Sequence, residues 1–144
     1  ATKSLYGITV PDYVIDGNWR IDDFGNWSFS DKFGNTYADS WRTLYNGYSN
    51  RNLGQLPYGW FLFDERGYMR TGWVTEKDGK IYYLNAESDN TKGMMVTGWK
   101  QIDGKWYYFS EKWDESRGQL LRATVTPDGY TVDENGVWNG ERAK

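Results

Sequence analysis

The chain has 144 residues, a formal net charge of −3, and neither Cys nor His. A chain of this length forms one domain with a moderate core, or a short array of about five or six repeated units. The missing residue types exclude disulfides, thiolate or imidazole metal centres and triads that use His, so no cofactor or metal is expected. A pI near 5.0 with scattered Lys and Arg argues against a nucleic-acid partner.

Aromatic side chains replace much of the aliphatic content. They make up 19% of the residues, with nine Trp and twelve Tyr, whereas enzyme cores normally rely on Leu, Ile and Val. We therefore expect a folded chain with an aromatic core. No apolar run is long enough for a membrane-spanning helix, and the N-terminus has no signal-peptide pattern, so we expect a soluble chain without its export signal.

Residues 1–57 predict degenerate N-terminal repeats and an irregular loop. Apolar and polar residues alternate on both sides of a turn at Gly25, which predicts two short strands. The alternating apolar residues are Trp19, Ile21, Trp27 and Phe29. Residues 42–57 carry no repeat signal, and they predict a long loop, an irregular hairpin or a short helical turn.

From residue 58 onward the chain repeats itself. Residues 67–73 return as residues 93–99, with Gly, Met, Thr, Gly and Trp at matching positions, and residues 78–84 return as residues 103–109. The intervals are 26 and 25 residues. Self-similarity at a fixed period of this size indicates stacked units that bury each other's apolar faces.

Each repeat contains an Asp-Gly pair between aromatic strands, which is a strong signal for a tight hairpin turn. The pairs begin at Asp78, Asp103 and Asp128. Because an isolated hairpin is only marginally stable in water, successive hairpins are expected to stack. The predicted fold class is all-β, a solenoid of stacked β-hairpins with degenerate N-terminal and C-terminal units. Residues 58–144 would carry the regular hairpins and a C-terminal cap, continuous with residues 1–57 in a single domain.

The acidic residues form no catalytic or metal-binding pattern. Two polar insertions, residues 88–93 and 113–118, contain Asp89 and Asp114 but lack the ligand density of a calcium loop. Adjacent acidic pairs, such as the one that begins at Asp22, point to opposite faces of a strand and cannot form a two-carboxylate glycosidase site. We therefore expect a non-catalytic module without a metal site.

The repeated motifs resemble those of a known family. The motifs that end at Trp73, Trp99 and Phe109 resemble the cell-wall-binding repeats of Gram-positive surface proteins, the choline-binding repeat type. They are also similar to the glucan-binding repeats of secreted glucosyltransferases. The resemblance covers residues 58–122 best and extends to residue 140. It implies a secreted or cell-wall-associated module, not inserted in a membrane, whose longer parent chain carries an enzymatic or adhesin domain.

In the choline-binding members of this family, aromatic cages between successive hairpins hold the ligand. A trimethylammonium group donates no hydrogen bond but is attracted to ring faces by about 0.5–2 kcal/mol per contact. Carried over by position, the resemblance implies one cage of Trp60, Met69 and Trp73 with Tyr83, and a second of Trp99, Trp106 and Tyr108 with Met95. Ile81 and Leu62 stand where the family has cage aromatics, which leaves one junction incomplete.

Two other functions remain open from the sequence. Aromatic faces also stack on pyranose rings, so glucan or another wall carbohydrate is an alternative ligand to the choline units of wall polymers. The second alternative is a structural spacer of a larger surface protein, in which the rings serve only packing. Met69 and Met95 would then fill gaps in that packing.

Overall fold

The computed structural model describes residues 3–5, 8–49 and 51–142. Over these residues the regular structure is thirteen short β-strands and one 3₁₀ turn at Arg51–Leu53. The strands are β1 Lys3–Leu5, β2 Ile8–Val10, β3 Gly17–Ile21, β4 Trp27–Asp31, β5 Ser40–Tyr45, β6 Tyr58–Phe63, β7 Gly72–Thr75, β8 Ile81–Leu84, β9 Gly98–Ile102, β10 Lys105–Phe109, β11 Thr124–Val125, β12 Tyr130–Val132 and β13 Trp138–Arg142. The predicted all-β class, built from small antiparallel hairpins, is confirmed. No helix in the described part has the length and apolarity to cross a membrane.

The chain forms two compact units that are interleaved in sequence. The first unit consists of Ala1–Gly72 and Leu84–Met95, and the second of Trp73–Tyr83 and Val96–Lys144. The chain passes from one unit to the other at the start of β7, at the end of β8 and just before β9. The prediction of a single continuous domain, with degenerate repeats in residues 1–57 and regular repeats in residues 58–144, stays a prediction.

Three antiparallel hairpins build the first unit: β1 with β2, β3 with β4, and β5 with β6. Trp19 lies opposite Phe29 in the β3–β4 hairpin, and Trp41 lies opposite Leu62 in the β5–β6 hairpin. Residues 42–57 contain most of β5, the 3₁₀ turn and the approach to β6. This segment is therefore an irregular hairpin that includes a helical turn, which combines two of the expected alternatives.

An aspartate shapes each of three turns in the first unit. The carboxylates of Asp22, Asp31 and Asp64 accept hydrogen bonds at 2.9 Å from the backbone N–H groups two and four residues later. The glycine three positions after each aspartate has a φ between 83° and 87°, a conformation that glycine adopts without steric penalty. The backbone hydrogen bond from Asn26 is the main cause that lowers the pKa of Asp22.

Aromatic rings form the core of the first unit. Phe29, Phe61 and Phe63 are at most 2% exposed, and Leu44 completes the cluster. The Trp19 ring packs across it, with its centroid 5.0 Å from Phe29 and 4.8 Å from Phe61. Because burial of one such side chain stabilises the fold by about 1.5–3 kcal/mol, this cluster fixes the orientation of Trp19 and of the hairpin that carries it.

The second unit contains the β7–β8 and β9–β10 hairpins and a three-stranded sheet of β11, β12 and β13. Asp103 and Gly104 have φ values of 51° and 80°, and they form the two-residue turn that an Asp-Gly pair predicts. In the other two Asp-Gly pairs, Gly79 and Gly129 have a positive φ but the aspartates before them do not. Each of these glycines donates its N–H at 2.9 Å to the carbonyl three residues earlier and so closes a longer turn. The three-stranded sheet lies where the sequence predicts the C-terminal cap.

The core of the second unit is smaller and mixed. Ile102, Phe109 and Leu120 are buried together, and Phe109 has no exposed surface. Ile81 and Tyr83 pack against this cluster while remaining partly exposed.

One backbone hydrogen bond recurs in both units and ties a turn to an earlier hairpin. The donor is the N–H of the residue two positions after the glycine of a turn. The acceptor is the carbonyl oxygen of the first residue of an aromatic strand motif, and the N···O distance is 2.7–2.8 Å. The pairs are Met69 with Trp27 and Met95 with Trp60 in the first unit, and Leu120 with Ile81 in the second. In the first unit this bond places Met69 next to Trp27.

Candidate functional site

Four aromatic rings of the second unit surround an open pocket, which we name the Trp99 pocket. Its lining consists of Trp99, Trp106, Asp128, Tyr130 and Trp138, around a volume of about 370 Å³. The Trp99 centroid lies 5.7 Å from Tyr130 and 6.3 Å from Trp138, with interplanar angles of 88° and 67°. Rings that meet at such steep angles form the walls of a box rather than a stack.

Strand pairing sets this arrangement. Trp99 on β9 lies opposite Tyr108 on β10, and Trp106 shares a strand face with Tyr108 because the two are separated by one residue. Trp106 is 40% exposed. The last two strands bring Tyr130 and Trp138 together, with ring centroids 5.8 Å apart. Two hairpin residues and two cap residues thus supply the four walls.

Asp128 gives the Trp99 pocket a negative charge. Its carboxylate accepts a hydrogen bond from the indole N–H of Trp99 at 2.8 Å and another from the Thr126 hydroxyl. The bond from Trp99 holds the carboxylate beside the rings. A carboxylate at this position attracts an organic cation by charge, and the ring faces attract it through their quadrupoles.

Tyr108 supports this pocket without lining it. Its ring centroid is 5.2 Å from that of Trp99, but the residue is only 4% exposed. Its hydroxyl donates a hydrogen bond to Glu111 at 2.9 Å. Burial, followed by the hydrogen bond to Glu111 and its charge, raises the pKa of Tyr108 to about 12. Tyr108 therefore stays neutral and packs behind Trp99.

A second pocket, the Trp27 pocket, lies in the first unit. Its apolar lining consists of Trp19, Trp27, Tyr48, Phe61 and Met69, around a cavity of about 200 Å³. The Trp27 centroid is 6.4 Å from Trp19 and 6.0 Å from Tyr48, with interplanar angles of 80° and 65°. Four rings and a thioether therefore form a cage with the same kind of wall as the Trp99 pocket.

The rest of the Trp27 pocket is polar and is lined by Asn46, Ser88, Asn90 and Lys92. Asn46 is 4% exposed. Its side-chain amide donates to the carbonyl of Asn90 at 2.9 Å, and its side-chain oxygen accepts from the N–H of Tyr48 at 3.0 Å. Asn46 thereby ties the first insertion to the segment that carries an aromatic wall.

A third aromatic group, in the second unit, surrounds Trp73. The Trp73 centroid lies 5.1 Å from Tyr83 and 4.9 Å from Tyr107, at interplanar angles of 66° and 73°. Trp73 is 40% exposed. Ile81 lies at the position where the resemblance implies a cage aromatic, and it packs against the core around Phe109.

The structure brings together several of the predicted site residues of the second unit. Trp73 contacts Tyr83, and Trp99 shares a pocket with Trp106. Tyr108 contacts the ring of Trp99 from its buried side. The proposed role of these residues as ligand contacts stays a prediction.

The predicted site residues of the first unit lie in different places. Met69 lines the Trp27 pocket. Trp60 packs instead against a small cluster that contains Val10 and Tyr58, with its ring centroid 6.0 Å from that of Tyr58. Met95 is only 8% exposed, and it forms an isolated antiparallel β-bridge with Leu84. Ligand contacts by these three predicted residues also stay predictions.

Sequence reasoning missed six aromatic residues that line the two pockets. They are Trp19, Trp27, Tyr48, Phe61, Tyr130 and Trp138. Four of them lie at strand positions of the degenerate terminal repeats. An alignment of these weaker copies with the regular repeats would indicate them as pocket residues. Tyr48 lies in the irregular segment between β5 and β6, and no pattern in the sequence marks it.

The two insertions use their carboxylates within the loop. Asp89 accepts hydrogen bonds from the side-chain amide of Asn85 at 2.8 Å and from the N–H of Thr91 at 3.1 Å. Hydrogen bonds from the hydroxyl and then the N–H of Ser116 lower the pKa of Asp114. In the part of the chain that the structure describes, no group of three or more acidic side chains is placed to hold a metal.

Comparison with protein-family models identifies the repeats. Residues 57–93 match the choline-binding repeat, and residues 97–112 match a cell wall binding repeat. Comparison with curated proteins gave no match. The matched segments carry Met69, Trp73, Trp99 and Trp106, whereas three rings of the Trp27 pocket, those of Trp19, Trp27 and Tyr48, lie outside them.

Solved structures of choline-binding proteins share the fold. A structure of CbpF in complex with ipratropium has a TM-score of 0.61 and 30% identity, over 95% of this chain and 37% of that chain. Choline binding protein F from Streptococcus pneumoniae with a peptidoglycan analogue gives 0.59 and 29%, over 95% and 39%. A multimodular pneumococcal cell wall endolysin from phage Cp-1, complexed with choline, gives 0.54 and 23%, over 89% and 38%, and at that identity it shows the fold alone. This chain spans less than two fifths of the length of each.

Proposed function

We propose that this chain, a repeat module of the choline-binding, cell-wall-binding family, attaches its parent protein to wall polymers by binding their choline groups. Cell-wall binding follows from the repeats and from the hairpin fold. The observation that supports choline as the ligand is the Trp99 pocket, where four rings and one carboxylate line a single cavity.

The chemistry of the pocket suits a quaternary ammonium group. Such a group has no N–H to donate, and its charge is spread over methyl groups that contact ring faces at about 0.5–2 kcal/mol each. Three such contacts reach about 4 kcal/mol, which corresponds to a dissociation constant in the millimolar range. Weak sites of this kind hold a polymer firmly when several are engaged at once.

The rings of the Trp99 pocket favour choline over a primary amine, because ring faces offer no strong hydrogen-bond acceptor. The Asp128 carboxylate accepts from Trp99 with one oxygen and from the hydroxyl of Thr126 with the other. It attracts either kind of cation through its charge. A primary ammonium would lose hydrogen bonds to water without full replacement, whereas trimethylammonium loses none.

Binding would act at the cell surface, where wall polymers are exposed. The solved relatives are more than twice as long as this chain, which supports a longer parent protein, and we propose that the rest of it carries an enzymatic or adhesin domain. The module would then supply attachment, and the further domain would supply the activity.

Thermal unfolding with choline, ethanolamine and a glucan oligosaccharide tests the proposal. Choline at a hundred times its dissociation constant should stabilise the protein by about 2.7 kcal/mol, and ethanolamine should have little effect. Trp138→Ala should weaken this stabilisation. Trp113→Ala removes an exposed indole of the same unit that lines neither pocket, and it should keep the full shift.

Three outcomes would count against choline recognition. Stabilisation by the oligosaccharide alone would favour the carbohydrate ligand. No shift with any ligand would favour a spacer whose rings only pack. Equal loss of choline stabilisation in Trp138→Ala and Trp113→Ala would show that the effect does not arise in the Trp99 pocket.

A further inference from the structure

We infer that the Trp27 pocket binds a zwitterion of the phosphocholine type, with the alkylammonium group among the rings and Lys92 on the anionic group. The inference rests on the proposed function, because it assumes that aromatic cages of this module receive choline groups. It adds that the two pockets prefer different forms of that ligand. Lys92 is the residue that determines the difference.

The two pockets have similar walls but opposite charges. Each presents at least three rings at steep angles. Among the residues that the structure describes, Asp128 is the only charged residue in the lining of the Trp99 pocket, and Lys92 is the only one in the lining of the Trp27 pocket. A bare cation is attracted by the first charge and repelled by the second. A ligand that carries its own anion removes that repulsion and turns Lys92 into a partner.

The charge of Lys92 is not used within the described part of the fold. The second insertion has Arg117 at the corresponding place, immediately before its glycine. The Arg117 guanidinium lies 3.6 Å from the centroid of the Trp113 ring and donates to the carbonyl of Glu111. Among the described residues, the Lys92 ammonium group makes no ion pair and no hydrogen bond. Lys92 of the first insertion therefore lines a pocket without a partner inside its loop, whereas Arg117 of the second insertion has its contacts within the loop.

The backbone holds Lys92 close to the pocket. The next residue, Gly93, donates its N–H to the carbonyl of Asn85 at 2.7 Å. Gly93 lies so close to Met69 that a Cβ atom at this position would be 2.2 Å from the sulfur. Since Met69 lines the pocket, the chain at residues 92 and 93 runs along the pocket lining. The ammonium group is thus attached to a fixed part of the backbone.

The other polar residues of the lining suit an anion with several oxygens. The Ser88 hydroxyl is a donor, and the Lys92 ammonium has three N–H groups. Hydrogen bonds from an ammonium group to phosphate oxygens are charge-assisted and stronger than neutral ones. A neutral sugar would gain from the rings and the amides but not from the charge on Lys92. The zwitterion is therefore the ligand that uses both sides of the pocket.

Indole N–H resonances allow the two pockets to be titrated separately in the intact chain. The signals of Trp27 and Trp99 are assigned with Trp→Phe variants, and each is followed with choline, phosphocholine and a glucan oligosaccharide. At low salt, the Trp27 signal should report phosphocholine binding about two- to fivefold tighter than choline binding, the range expected for one exposed ion pair. The Trp99 signal should report the opposite preference.

Variants of Lys92 carry the decisive comparison. Lys92→Gln should remove the preference for phosphocholine at Trp27, and Lys92→Arg should retain it. Lys77→Gln makes the same change in net charge at an exposed position that lines neither pocket, and it should leave both preferences unchanged. Because the Lys92 ammonium group makes no ion pair or hydrogen bond with another described residue, the variants are expected to remain folded, which circular dichroism checks.

Several results would overturn the inference. An unchanged ratio of the two affinities at Trp27 in Lys92→Gln would remove the role of Lys92. Shifts of Trp27 with the oligosaccharide but not with phosphocholine would make the pocket a sugar site. If Trp99 responds to choline while Trp27 responds to nothing, the inference fails and the proposed function stands. If neither indole responds to choline or phosphocholine, the proposed function fails as well.

Discussion

Three glycines of the first unit allow backbone strain and crowding to be measured separately. Gly34 has a φ of 83°, and a Cβ added there would meet nothing within 4 Å. Gly59 has no positive φ, but an added Cβ would lie 2.5 Å from the Met94 side chain. Gly93 combines a φ of 84° with a 2.2 Å approach to Met69. Alanine at these positions therefore tests strain alone, crowding alone, and both together.

The expected losses of stability follow from these two effects. A left-handed conformation costs an L-residue about 1–2 kcal/mol, and forcing an extra carbon into a packed site costs about 1–3 kcal/mol. We expect Gly34→Ala to lower the free energy of unfolding by about 1–2 kcal/mol and Gly59→Ala by about 1–3 kcal/mol. Gly93→Ala should lower it by about 2–5 kcal/mol, the sum of the two.

Urea unfolding followed by far-UV circular dichroism gives the three free energies, and an unchanged slope m shows that the same transition is compared. The double variant Gly93→Ala with Met69→Ala should recover the crowding part relative to the two single variants, because the side chain that the new methyl group meets is gone. If Gly93→Ala costs no more than Gly34→Ala, the close packing of Gly93 on Met69 is refuted.

Two further predictions concern a buried amide and a buried phenol. Asn46→Ala should destabilise the protein by about 1–3 kcal/mol, because it leaves the carbonyl of Asn90 and the N–H of Tyr48 without their partner, and it should weaken ligand shifts at Trp27 but not at Trp99 in the indole titration. The pKa of Tyr108 is raised to about 12 from an ordinary value of 10.0, so its contribution to stability is complete below pH 10 and is lost as pH rises through 12. Urea midpoints measured from pH 9 to 12 should fall less steeply for Tyr108→Phe than for the wild-type chain, and parallel profiles would contradict the assignment.

The hairpins could be predicted from the sequence because their causes are local. Strand alternation and turn chemistry act over a few residues, and Asp103 with Gly104 forms the turn that this pair favours. Residues 42–57 contain no such pattern. Part of this segment becomes strand only because it pairs with β6, and that pairing joins residues far apart in the chain.

The candidate site could be predicted only where one hairpin supplies it. Trp99 and Trp106 belong to the same hairpin, so their spacing in the sequence already implies that they lie near each other. Trp138 comes from a degenerate repeat whose pattern is weak, and Tyr48 comes from a segment without a repeat signature. Trp60 has the family spacing, yet its ring packs on a cluster that includes Val10 from the N-terminal hairpin, an arrangement that no local rule predicts.

The rings and the charges of the two pockets come from different parts of the chain. Most rings lie on strands, where the repeat fixes them, whereas Asp128 lies in a turn and Lys92 in an insertion. Asp128 begins one of the repeated Asp-Gly pairs, whereas the insertion that carries Lys92 has Arg117 at the corresponding place in its second copy. Under our inference, the charge at residue 92 makes the Trp27 pocket prefer a zwitterion to a bare cation. The exchange of Lys92 alone should then be enough to alter the preference of that pocket.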